Sequence, residues 1–228
     1  MTNPIGRRLE AGTGAAFAIL MAVALFLPGQ PPRASDDAET IVAILTDRRT
    51  AFLVSGYVAG FAAMAYLWFL GSVRDYLGGR GPAGLARTAS AGGVFAITLL
   101  LLGMLMFNGT AFAAARLGDP TLVRAFTDTG NSVIETSKFG FAVFVLALSR
   151  CGAASGLLPR WLTRFGALSA LLMVGSAVAL FVDHGILQFG GVVDIAGGVP
   201  AFLWITALSV VMVLDTRAGA AAAEPATC

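Results

Sequence analysis

One lysine, one histidine and two cysteines make up this chain's stock of the side chains most used for covalent and metal chemistry. With His184 alone, an HExxH helix and any poly-histidine metal centre are excluded. Cys151 and Cys228 stand far apart with no CxxC spacing, so neither a zinc site nor a disulfide framework is indicated. Lys138 is the sole lysine, no GxxxxGKS/T phosphate loop contains it, and no GxSxG marks an esterase. The paired DxxxD that holds magnesium on a prenyl diphosphate is missing as well. Charge is scarce overall. Asp, Glu, Lys and Arg make up 12% of the chain, where about a quarter is usual for a soluble domain. The 15 basic residues barely outnumber the 13 acidic ones, which excludes the strongly basic surface of a nucleic-acid partner. No metal and no cofactor are called for.

What the chain has instead is length of apolar sequence, 57% of its 228 residues. Six stretches meet the requirement of about 20 predominantly apolar residues for a membrane-crossing helix: 11–28, 51–73, 89–112, 130–149, 165–184 and 191–214. The reading is an all-α integral membrane protein, a six-helix transmembrane bundle over 1–215 with a flexible tail at 216–228. The sixth stretch contains GGVP at 197–200, which predicts an irregular first turn. Arginines sort to one side: Arg7 and Arg8; Arg74, Arg80 and Arg87; Arg150, Arg160 and Arg164. By the positive-inside rule both termini are cytoplasmic and the protein belongs to the cell (inner) membrane, with the lipid bilayer as its first partner. Retention of span one is preferred to cleavage as a signal peptide. PPRAS offers no clean small-x-small site, and Glu10 sits in the positive leader.

Between spans one and two, SDDAETIVAILTDRR reads as a short outer helix, capped by Asp36 with Glu39 in capping-box spacing, its apolar face Ile41, Ile44 and Leu45. Gly56 and Gly60 in GYVAG are read as internal packing.

The polar residues converge on the outer side. Lys138 lies roughly 18 Å and Glu135 roughly 22 Å above Arg150 at about 1.5 Å per residue, in the outer half of a core about 30 Å thick. Asp128, Asn131, Glu135 and Lys138 follow the 3, 4, 3 spacing of one helical face, and Glu135 and Lys138 are spaced to pair. Asn108, Asp183, His184 and Asp194 come to the same side from other spans, followed closely in the chain by Gln188 in one case. Two readings of the Glu135–Lys138 pair stay open: a neutralised lock between helices, or a functional site, which is the default meaning of intramembrane charge. His184 reads first as a hydrogen-bonded interfacial side chain and Asp194 as a cap for the last helix.

On AETIVAILTDRRTAFLVSGYV, LWFLGSVRDYL and LPRWLTRFGALSALLMVG, the layout resembles a domain-of-unknown-function family of small bacterial six-span membrane proteins. That resemblance implies the six-helix architecture and no chemistry. In kind of site the chain is also similar to small integral membrane terpene cyclases, which use intramembrane carboxylic acids without metal. The similarity implies acid roles for Glu135 with Asp183 or Asp194, although seven spans are usual there.

Three functions follow as expectations. The first is an outer-facing polar cavity, closed below by small-residue packing, that binds a small lipophilic molecule. Its anchors are Asn108, Asp128, Asn131, Glu135, Lys138, Asp183, His184 and Asp194, and its walls are Phe107, Phe126, Phe139 and Phe181. The second is a metal-independent, acid-catalysed isomerase or cyclase of a terpenoid-like substrate, in which Lys138 would hold Glu135 ionised and leave Asp183 or Asp194 as the acid. The third is a proton-coupled small-solute carrier using Glu135, Asp183 and His184. Oligomeric state is not legible in the sequence.

Overall fold

The computed structural model describes residues 4–117, 119–182 and 184–221. Seven α-helices are found among them: α1 (Pro4–Phe26), α2 (Ala38–Asp47), α3 (Arg49–Leu77), α4 (Ala83–Leu117), α5 (Pro120–Ser155), α6 (Arg160–Ser176) and α7 (Val192–Ala221). Two short 3-10 turns, Ala177–Phe181 and Gly185–Leu187, lie between α6 and α7. Six segments are long and apolar enough to cross a membrane: Leu9–Phe26, Arg49–Leu77, Ala83–Ala113, Pro120–Ser155, Arg160–Phe181 and Gly185–Asp215. The chain therefore has the build of a multi-pass membrane protein.

Local signals explain where the helices stop. Gly78 and Gly156 adopt the left-handed conformation (φ 50° and 69°) that closes α3 and α5. Asp119 accepts from the Thr121 and Leu122 amides, and Pro120 takes the first helical position. This cap starts α5 ten residues before the expected span at 130. Asp37, rather than Asp36, caps α2 by accepting from the Thr40 amide at 2.7 Å. Asp36 instead folds back to the Arg33 amide at 2.8 Å. The backbone bond from Thr40 holds the Asp37 carboxyl below the ordinary range for an aspartate.

The expected break at GGVP is absent, and α7 runs unbroken from Val192 with Pro200 inside it. Its glycines serve packing: a Cβ at Gly197 would strike the Ser176 side chain and stand 3.1 Å from the Leu172 carbonyl on α6. The irregular backbone lies earlier, in the 3-10 turns that end span five.

The six spans form a closed ring in sequence order. Each packs on the next, and α7 returns to α1. Side-chain hydrogen bonds tie neighbours together: Ser55 Oγ donates to the Ala24 carbonyl (2.6 Å) and Trp204 Nε1 to the Leu162 carbonyl (2.9 Å), while Tyr76 Oη of α3 reaches Asp215 of α7 (3.0 Å). The tightest seam joins α4 and α5, where glycines face backbone. A Cβ on Gly140 would lie 2.8 Å from the Ala96 amide nitrogen, and one on Gly103 would lie 2.8 Å from the Gly130 carbonyl. This close approach draws α5 toward the middle. In its most apolar window 61% of residues are buried, against 33–44% in the other spans.

The middle of the ring is filled by aromatic rings from four helices. Phe17 sits 4.5 Å from Tyr66, Tyr66 is 5.7 Å from both Phe141 and Phe144, and Phe144 meets Trp204 edge-on at 6.1 Å. Small-residue packing was expected to close this part of the bundle. The glycines act at the helix seams instead, and the plug is aromatic. A second cluster caps one end, with Ile41 and Leu45 of α2 packed on Phe52, Phe107, Ala111, Val123 and Phe189. The expected apolar face of α2 is thus used, and it closes the mouth of the ring.

Candidate functional site

On α5, Asn131, Glu135 and Lys138 all turn into the bundle, and the lowest of them, Lys138, lies about one helical turn above the aromatic Phe141. Lys138 Nζ donates to Glu135 Oε2 at 2.8 Å, the pairing that the spacing predicts. It also donates to Asp194 Oδ1. The other oxygen, Asp194 Oδ2, accepts from the Gly190 amide at 2.7 Å. Asp194 lies in the first turn of α7, where a carboxylate is favoured by the exposed amides and dipole of the helix end. The sequence suggested a cap for that helix; Asp194 instead bonds the backbone of the turn before it and holds α5 to α7. Glu135, Lys138 and Asp194 are only 1%, 7% and 8% exposed, so the site is enclosed.

The enclosed site is unbalanced in charge and in hydrogen bonding. Two carboxylates face one ammonium. Among the described residues, five buried side-chain oxygens lack a partner, and three of them are Glu135 Oε1 itself, Asn131 Oδ1 one turn away on α5 and Gln188 Oε1 in the turn before α7. Asn131 stands one turn from Glu135 on the same helix, within side-chain reach. Gln188 sits in the turn that delivers the Gly190 amide to Asp194, and is 6% exposed. All three orphan atoms are acceptors, so the arrangement calls for a donor.

Other expected anchors lie elsewhere. Asp128 is exposed and pairs with Arg124 at 3.4 Å. At that height the buried face of α5 runs through Val123, Thr127 and Asn131, and Asp128 is about 100° round from Thr127. Asn108 packs across the α3–α4 seam against Gly56, where any Cβ would collide with its amide. Gly56 is thus an internal contact as expected, whereas a Cβ on Gly60 would meet nothing. His184 is exposed at the head of the second 3-10 turn. Asp183 lies outside the described residues, and so does Cys228.

The proposed aromatic walls do not form. Phe126, Phe139 and Phe181 point outward, and only Phe107 is buried, stacked 6.3 Å from both Phe52 and Phe189. Two surface clefts of about 380 and 340 Å³ lie at the opposite end of the bundle, one along Glu10, Trp68 and Asp75 and the other along Tyr76, Leu157 and Asp215.

No family model, curated protein or solved structure matches this chain. The site has to be read from its own residues. Sequence reasoning passed over two of them. Gln188 was noted only as a polar neighbour, and Arg124 was not singled out. Arg124 donates to the Ala34 carbonyl at 2.9 Å and to the Asp36 carbonyl, pinning the chain before α2 onto α5. A short-range signal for Gln188 exists in the pattern QFGGVVD, a polar residue and a Gly-Gly turn leading into an acid at a helix start.

Proposed function

We propose that this chain is a multi-pass protein of the cell (inner) membrane whose enclosed site holds the polar end of a small lipophilic molecule. Both termini lie in the cytoplasm, following the arginine distribution, so the Glu135–Lys138–Asp194 site opens toward the outer face. The observation that carries the reading is the set of unpartnered acceptors, Asn131 Oδ1, Glu135 Oε1 and Gln188 Oε1, beside a buried ion triad. Burying such atoms without partners is costly, and a ligand head group that donates hydrogen bonds relieves the cost. The lipophilic character follows from the surroundings. Phe181 at the end of the first 3-10 turn, Ile186 in the second and Val192 at the head of α7 point outward, at 85%, 66% and 73% exposure. A ligand with its head at Gln188 would lay its tail along these side chains.

The aromatic plug favours binding over a path through the membrane, because it stands directly between the triad and the opposite end of the ring. Among the described residues the acid-catalysed reading finds little free acid. Both oxygens of Asp194 and one of Glu135 are engaged, which leaves Glu135 Oε1. Access to the site requires α2 or the 184–191 segment to move aside.

The test is a solvent extract of the purified protein compared with that of Glu135→Gln by mass spectrometry. A small lipophilic molecule enriched with the unaltered protein supports binding at this site. Identical extracts from both proteins would remove the support. Terminal reporter fusions check the orientation, and a C-terminus outside would place the site on the cytoplasmic side.

A further inference from the structure

We infer that the head group taken by the Glu135–Lys138–Asp194 site is a protonated primary amine. The inference rests on the lipophilic-ligand reading above and adds the chemistry of the head.

Two counts lead to it. The first is charge: with Glu135 and Asp194 both ionised, two carboxylates meet one ammonium, and a ligand carrying a single positive charge completes the balance and holds both in that form. In an enclosed site such a balance weighs heavily, since an unpaired charge is poorly tolerated away from water. The second is hydrogen bonding. A primary ammonium has three N–H donors and no acceptor, as the lysine side chain does. The orphan atoms are three acceptors, Asn131 Oδ1, Glu135 Oε1 and Gln188 Oε1, each on a side chain more than nine-tenths buried. An alcohol brings one donor and an added acceptor. A fatty acid brings a negative charge to a site that already has an excess.

Lys138 cannot fill this role. Its Nζ is committed to Glu135 Oε2 and Asp194 Oδ1 and makes no bond to the orphan oxygen of Glu135. The ligand ammonium would sit at Glu135 Oε1, leaving the two cations separated by the Glu135 carboxylate. That arrangement repeats the alternation of charge already present along Glu135, Lys138 and Asp194. No other described cation approaches these atoms closely enough to bond them. Arg124, higher on α5, is occupied by Asp128 and by backbone carbonyls before α2.

The experiment uses the full chain in lipid nanodiscs with three probes of equal tail length: dodecylamine, 1-dodecanol and dodecanoate. Binding is followed by the shift in thermal unfolding and by native mass spectrometry. The expected result is a dodecylamine affinity at least tenfold above that of dodecanol, with no measurable dodecanoate binding. Glu135→Gln should lose that preference, because the site then carries one carboxylate and one ammonium. Asn131→Leu, which leaves the triad intact, should weaken dodecylamine about tenfold and keeps the test valid if Glu135→Gln does not fold. Equal binding of amine and alcohol would overturn the cationic head while leaving the lipophilic-ligand reading in place. Failure of all three probes to bind would count against both. Stabilisation by sodium ions alone, equal to that by dodecylamine, would replace the amine with an inorganic cation. Unchanged dodecylamine binding by both variants would place the site elsewhere.

Discussion

Helix α5 carries two ion pairs built from the same materials and separated by about two turns, and they live in different worlds. Arg124 and Asp128 are four residues apart, 3.4 Å between charged atoms, with side chains 37% and 49% exposed. Glu135 and Lys138 are three apart, 2.8 Å, and almost fully enclosed. The first pair lies on the open arc of α5, where both side chains are partly exposed. The second lies where the ring closes around α5, so its desolvation must be offset by partners, and Asp194 of α7 is recruited as one. The difference teaches that charge spacing alone says little about the role of a pair. What matters is how many helices surround it.

The comparison is broken most severely by removing Lys138. Lys138→Met leaves two carboxylates facing each other in an enclosed site, and should cost about 3–5 kcal/mol in detergent unfolding. Replacing Glu135, Lys138 and Asp194 together with apolar residues should recover most of that loss. Equal losses for the single and triple variants would mean that packing, rather than charge, holds the site. A smaller effect is expected from Gly140→Leu, which forces α4 away from α5 because the Ala96 backbone, 2.8 Å from the new Cβ, has no rotamer to yield. Overpacking of this kind costs about 1–3 kcal/mol and should loosen the enclosure, read as faster thiol labelling of Asn131→Cys in a chain lacking Cys151 and Cys228.

At the exposed pair the effects shrink. Arg124→Ala loses its bonds to the Ala34 and Asp36 carbonyls, about 1.5 kcal/mol, with the loss showing as higher amide exchange across α2. Asp128→Ala should cost less than about 1 kcal/mol, the usual yield of an exposed pair. A double-mutant cycle on 124 and 128 should therefore give a much smaller coupling than one on 135 and 138, and similar couplings would erase the distinction. The last effect is a pH dependence confined to α2. The Asp37 carboxyl sits below its ordinary 3.8 in the fold, so its capping contribution is complete above that value and disappears as pH falls through the lowered one. Amide protection at Thr40 should fall in acid relative to neutral pH, and Asp37→Asn should flatten that dependence.

Much of the architecture was legible because it depends on local composition. Each of the six expected spans overlaps an observed one, and the Glu135–Lys138 pairing followed from a three-residue spacing. Boundaries slipped where a cap overrode hydropathy, as at Asp119–Pro120, where helix continues through polar sequence that an apolar window does not count. Irregular backbone falls in the 3-10 turns at 177–181 and 185–187 and not at GGVP, where Gly197 stays helical and serves close approach to α6. The walls of the site failed for a related reason. Phe126 and Phe139 lie close to the polar residues in the chain but on the outward arc of α5, while the rings that fill the bundle come from Phe17, Tyr66, Phe141, Phe144 and Trp204 on four helices.

By itself, then, the sequence determined that this chain makes six apolar helices, with arginines sorted to one side and the Glu135–Lys138 pairing toward the other. Hydropathy, capping residues and helical spacing act within a few residues of one another, and they can be read without knowing what lies alongside. Only the tertiary structure decided that Lys138 reaches Asp194 across 56 residues of chain, that Asn108 turns to Gly56 instead of the site, and that Gln188 is buried with an oxygen unpaired. Those outcomes depend on which helices are neighbours in the ring and how closely their glycines let them approach, and no stretch of sequence contains that information alone.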